Sequence, residues 1–183
     1  MYARLQTIAV LLDRFAETTG RVIAWLTLAM VLITFAVVIL RKLFETGSIA
    51  LQESVSYLHA AVFMLGAAYT LKQDGHVRVD ILYQKFTPRT RAWVDLLGTL
   101  LLLFPVCLYI FFSSLEYVGA SWSMLEGSRE AGGLDGVFLL KTAIPVMAVL
   151  LLLQGCSIVL QNLLLLAGQP LPTGPDSGLD RKP

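Results

Sequence analysis

Histidines, cysteines and clustered carboxylates are where chemistry would start, and in this chain they are few and scattered. His59 and His76 are the only two histidines, and Cys107 and Cys156 the only two cysteines. His59 falls midway along an apolar run and His76 beyond its end, about 25 Å away on an ideal helix axis, too far to share one haem. No Cys/His cluster has zinc spacing. A glycine-rich phosphate loop, an H-E-x-x-H pair and a nucleophile elbow are all missing from the sequence. The two cysteines sit in apolar runs at depths differing by about 15 Å, which makes them buried small hydrophobes rather than a disulfide. The residues therefore point away from catalysis, cofactor and metal, and His59 is expected to be a buried, hydrogen-bonded side chain.

Composition says what the chain is made for. Of 183 residues, 56% are hydrophobic and 15% charged, with a mean hydropathy of +0.72. A soluble domain carries about a quarter charged residues, so this is an integral membrane protein. A net charge of +1 without a basic domain gives no footprint for nucleic acid.

The expected fold is all-α, with four transmembrane helices after an amino-terminal amphipathic helix. Over residues 1–20, Leu5, Ile8, Ala9, Leu11, Leu12, Phe15 and Ala16 share one arc of a helix. Gln6, Asp13, Arg14, Glu17 and Arg21 share the other. Such a segment suits the membrane interface or a partner helix, and it lacks the cleavage pattern of a secretory signal. Within a membrane domain over 21–167, apolar stretches place spans at about 22–40, 51–71, 93–115 and 137–166, each long enough for about 30 Å of hydrocarbon. Pro105 predicts a kink in the third, and Pro145 is expected in the first turn of the fourth. From residue 168 to 183, proline and glycine leave a tail with no means of packing.

Lys and Arg set the orientation. Ten of the fourteen lie in the amino-terminal segment (Arg4, Arg14, Arg21), the central loop (Lys72, Arg78, Lys85, Arg89, Arg91) and the tail (Arg181, Lys182). The positive-inside rule puts those parts, and both termini, in the cytoplasm. The loop bearing Glu116, Glu126, Glu130 and Asp135 then faces outward.

Two spans carry stripes. In the second, Gln52, Ser56, His59, Phe63, Gly66 and Thr70 fall on one line, and in the fourth Lys141, Ala148, Gly155 and Asn162 follow at heptad spacing. Small and polar residues on one line mark helix–helix contacts in lipid. Glu53 and Lys141 both lie near the outer surface, where they snorkel separately, pair across helices two and four, or bond to a partner.

The central hairpin carries the most specific pattern. Gly66-Ala67-Ala68 near the end of span two is followed by Gly75-His76-Val77-Arg78-Val79-Asp80, then Pro88, Arg89, Arg91 and Asp95 at the head of span three. Gly75 is the natural left-handed residue to end the helix. His76 and Arg78 suit lipid phosphates or carboxylates, and Arg91 and Asp95 are one helical turn apart. With Glu53 opening span two, this hairpin resembles the small Q-type membrane subunit of tripartite ATP-independent periplasmic (TRAP) transporters, over about residues 20–165.

The resemblance implies a multi-pass protein of a bacterial inner membrane. Its implied partners are a large multi-span permease subunit, which holds the substrate and sodium sites and moves as an elevator, and a periplasmic substrate-binding protein that delivers an organic acid. The small subunit would be a non-catalytic scaffold without cofactor, contacting membrane lipids. Candidate subunit-interface residues are Glu53, His59, Gly66, His76, Arg78, Asp80, Arg91, Asp95 and Lys141. Trp122, Glu126, Arg129 and Glu130 are candidates for meeting the binding protein, with Trp122 equally suited to anchoring in the interface. The alternative is a free-standing four-helix membrane scaffold of a signalling or redox complex.

Overall fold

In the computed structural model, which describes residues 2–75, 83 and 85–169, the chain is helical with no strand among the described residues. Among the described residues, four stretches are long and apolar enough to cross a membrane: Tyr2–Leu43, Ile49–Lys72, Pro88–Ser123 and Val137–Leu166. His76, Arg78, Asp80 and residues 170–183 of the tail lie outside the described residues.

The first helix, α1 (Tyr2–Leu43), is continuous for 42 residues, so the division expected near residue 20 is absent. No proline interrupts this stretch, and the Thr7 and Thr18 hydroxyls bond back to the Ala3 and Arg14 carbonyls at 2.9 Å without breaking the ladder. A lone Gly20 is tolerated within it. Arg41 and Lys42 close the last turn, favourably placed against the negative end of the helix dipole. Along residues 8–17 the large apolar side chains of Ile8, Leu11 and Phe15 are exposed, whereas Ala9 and Ala16 are buried and Asp13 and Glu17 half-buried. That inverts the soluble pattern. Lipid takes bulky apolar groups readily, while small and polar ones serve contact between helices.

Ser48 caps α2 (Ile49–Lys72), its hydroxyl accepting from the Leu51 amide at 3.4 Å. At the far end Asp74, not Gly75, takes the left-handed conformation (φ 54°), a region Asp tolerates better than most residues. The Gly75 amide then donates to the Thr70 carbonyl at 2.9 Å.

The third span consists of α3 (Pro88–Gly98), a π turn over Thr99–Leu103 and α4 (Phe104–Ser123). Thr87 caps α3, with Pro88 in its first turn. The irregularity expected at Pro105 takes the form of the π turn directly before it. Proline lacks an N–H and its ring presses on the carbonyl four residues back, and one extra residue in the turn makes room for both. Pro145 lies two turns inside α5 (Val137–Leu166) rather than in its first turn, so the Lys141 carbonyl has no amide donor four residues on. Gly168 (φ 69°) ends α5, with the Gln169 amide reaching back to Leu164 O at 3.0 Å, a Schellman-type closure.

Packing divides the chain into two compact units. One joins Met1–Thr18, Ala67–Tyr109 and Val149–Pro183, and the other Thr19–Gly66 and Ile110–Ala148.

Candidate functional site

In the unit containing Thr19–Gly66 and Ile110–Ala148, the α4–α5 loop is tied down by carboxylates. Glu53 of α2 reaches both sides of this loop: Ser128 Oγ donates to one carboxylate oxygen, and the Leu134 amide to the other at 2.7 Å. The Ser128 hydroxyl also accepts the Glu130 amide at 3.1 Å, and the Ser128 amide donates to Leu134 O at 2.9 Å. Gly133 passes so close to the Ser128 side chain that a Cβ would collide with it.

A second clamp joins this loop to α5. Lys141 Nζ donates to Glu126 Oε2, which also accepts Ser121 Oγ at 2.7 Å. The ammonium stands 4.0 Å from the Tyr117 ring centroid, a cation–π contact. Trp122 Nε1 donates to Thr142 Oγ1 at 2.8 Å, and its ring meets Phe138 edge-on at 4.7 Å. Around these groups opens a cavity of about 470 Å³ lined by Glu53, Tyr57, Tyr117, Glu126, Arg129 and Lys141, among others. The Tyr57 hydroxyl is buried without a partner among the described residues.

The other unit is held by a different polar contact. Asp13 of α1 accepts Ser157 Oγ at 2.6 Å, Gln161 Nε2 at 2.8 Å and Gln154 Nε2 at 3.2 Å, all from α5. Ala9 and Ser157 are fully buried there, and their small size lets the two backbones approach. Lys72 at the end of α2 pairs with Glu17 of α1 at 2.7 Å. Tyr83 donates to Asp95 at 2.6 Å, and the Arg91 guanidinium lies 5.3 Å from its ring centroid while Nε donates to Phe86 O at 3.1 Å.

The sequence model for "Tripartite ATP-independent periplasmic transporters, DctQ component" matches residues 30–165, most of the chain and all of α2 to α4. The chain belongs to the DctQ family. It is the small permease subunit of a TRAP transporter, a type of system in which a DctQ component works with a large permease subunit and a periplasmic binding protein. Searches of curated proteins and of solved structures returned no match.

Several expectations for this DctQ component need correction. Glu53 and Lys141 do not pair with each other; each engages the α4–α5 loop. Both routes neutralise or satisfy a charge near the end of a span, and the loop supplies closer partners than the opposite helix. His59 is exposed and makes no side-chain hydrogen bond among the described residues, so it is not the buried, satisfied histidine expected. Cys107 is buried but Cys156 is exposed. Gly66 is half-buried, with Ile23 of α1 3.9 Å from where a Cβ would lie. Trp122, Arg129 and Glu130 are exposed and Glu126 is half-buried, with Trp122 and Glu126 also hydrogen-bonded within the chain. Asp13, Glu17 and Ser128 were not singled out by sequence. For Asp13 and Glu17 a signal existed: carboxylates among exposed apolar neighbours in a helix that continues into lipid need partners.

The Glu126 clamp has a pH signature. The hydrogen bond from Lys141 leads, followed by that from Ser121, in holding the Glu126 carboxyl below its usual range. A depressed folded value means that the ionised form stabilises the fold above the ordinary carboxylate value of about 4.3, and that this contribution fades as pH falls through the lower, folded value. The side chains of Lys141 and Glu126 are 15% and 25% exposed, so solvent screens the pair and the effect is modest. The difference in melting midpoint between wild type and Glu126→Gln should be flat above about pH 5 and shrink below it. A difference that does not vary with pH down to about 3.5 would contradict the assignment.

Proposed function

We propose that this DctQ component is the fixed, non-catalytic part of a sodium-driven uptake system in a bacterial inner membrane. On this reading both termini and the α2–α3 turn are cytoplasmic, as the Lys and Arg distribution requires. A large permease subunit carries the organic acid through the membrane by an elevator motion, and a periplasmic protein delivers it. The observation that carries the scaffold role is how this chain uses its polar groups. Asp13, Glu17, Glu53, Lys72, Glu126 and Lys141 all bind other parts of the same chain. Groups committed to tying helices and the α4–α5 loop together stiffen a stator. Family membership weighs against the free-standing scaffold of a signalling or redox complex. Arg129 and Glu130, exposed on the α4–α5 loop, are the groups offered to the binding protein, and their opposite charges favour a polar, salt-sensitive contact.

The test is reconstitution. Liposomes holding this chain and the large subunit, supplied with the binding protein and a labelled organic acid that stabilises it against heat, should take up label only under an inward sodium gradient. Liposomes with this chain alone should take up none. Equal uptake by the large subunit and binding protein without this chain would overturn the scaffold role.

A further inference from the structure

The exposed surfaces of the spans are not alike. On α1 the exposed large side chains include Trp25, Leu28, Leu32 and Phe35, and on the third span Leu101, Leu102, Val106 and Phe112. Hydrocarbon suits these. On α2 the exposed line is Gln52, Ser56, His59 and Phe63, with Phe63 at 75% exposure. Gln52, Ser56 and His59 have no side-chain hydrogen bond among the described residues. His59 lies ten residues into a 24-residue span, about 15 Å from its start, where water does not reach and an unpaired polar group is costly.

The spacing selects what covers them. Positions 52, 56, 59 and 63 step by four, three and four, the seam that receives a second helix in a left-handed, knobs-into-holes pair. The occupant must therefore be a transmembrane helix bearing hydrogen-bonding groups at mid-depth, which lipid lacks. We infer that the Gln52–Ser56–His59–Phe63 face of α2 is the docking surface for a polar-bearing helix of the large permease subunit. This rests on the reading of the chain as the scaffold partner of that subunit. Phe63 fills the inner end of the contact, and His59 offers hydrogen-bonding nitrogens at mid-depth.

Photo-crosslinking in native membranes tests it. A benzophenone amino acid is placed at position 59 or 63 of the full complex, and adducts are identified by mass spectrometry after the large subunit has been shown to co-purify. Adducts to the large subunit from both positions are expected. Adducts only to lipid, or to a second copy of this chain, while the large subunit still co-purifies would overturn the docking surface but leave the partnership standing. No co-purification from native membranes would overturn both. In parallel, His59→Leu should lower the yield of large subunit recovered in mild detergent by about tenfold, and His59→Gln should restore most of it. Each variant's own melting midpoint should stay near wild type, since His59 has no side-chain hydrogen bond among the described residues.

Discussion

A leucine in place of Gly155 should lower the stability of the protein by about 1–3 kcal/mol, the usual range for forcing volume into a packed contact. A Cβ at this position would lie 2.6 Å from Phe104 Cε1 and 2.8 Å from Leu103 Cδ2, closer than carbon atoms approach without displacement. Both atoms are the ends of half-buried side chains, which can turn aside only as far as their fixed backbones allow. Leu103 ends the π turn and Phe104 begins α4, so their positions are set by the extra residue placed ahead of Pro105. The glycine on α5 and the bulge on the third span are thus two halves of one contact. Thermal unfolding in mild detergent should show the loss, and Phe104→Ala should be partly rescued when combined with Gly155→Leu, because the second change refills space the first opens. Additive losses in the double variant would show that the two positions do not share a contact. No change in the single variant would mean the helices separate at no cost.

How far the sequence went can be judged from such pairs. Hydropathy and length located all four hydrophobic helices, because about 20 apolar residues have few other uses. The heptad line through Ala148 and Gly155 was legible for the same kind of reason, since small residues in lipid mark close approach, and both are buried. The DctQ resemblance rested on a hairpin whose most specific stretch, His76 to Asp80, lies outside the described residues, yet the family match runs through it. Partners were harder. Helical periodicity gives the direction of a side chain but not its neighbour, so Glu53 and Lys141 were plausible mates by depth alone. The α4–α5 loop captured both, through a backbone path that includes left-handed residues at Leu125 and Gly132 and that no periodicity describes. The amino-terminal segment misled for another reason. Its packed side straddles the two arcs, burying Ala9 and Ala16 of the apolar one while Ile8, Leu11 and Phe15 stay exposed, because an amphipathic pattern has opposite meanings in water and in lipid. Only the continuity of α1 into an apolar span tells which applies.

Asp13 is where that inversion has its largest measurable consequence. Asp13→Ala should destabilise the protein by about 1–3 kcal/mol if the donors it leaves behind are stranded, with the lower end favoured because hydrogen bonds between membrane helices average nearer 0.6 kcal/mol. Three donors from α5 converge on this carboxylate. Ser157 is fully buried and Gln154 nearly so, so neither finds water when the acceptor goes. Asp13→Asn separates hydrogen bonding from charge. Among the described residues no cation pairs with Asp13, and its charge is met only by the dipoles of neutral groups. The asparagine keeps one acceptor oxygen for Ser157 or Gln161. Its new amide can donate to Gln154, whose own Oε1 is buried without a partner, once that side chain turns over. Asp13→Asn should therefore lose less than half of what Asp13→Ala loses, measured as the shift in melting midpoint or in the detergent concentration that unfolds half the protein. If the two variants fall equally far, the charge rather than the acceptor geometry holds α1 to α5. If neither moves, the contact positions the helices without stabilising them, and the burial of Ala9 beside Ser157 carries that junction instead.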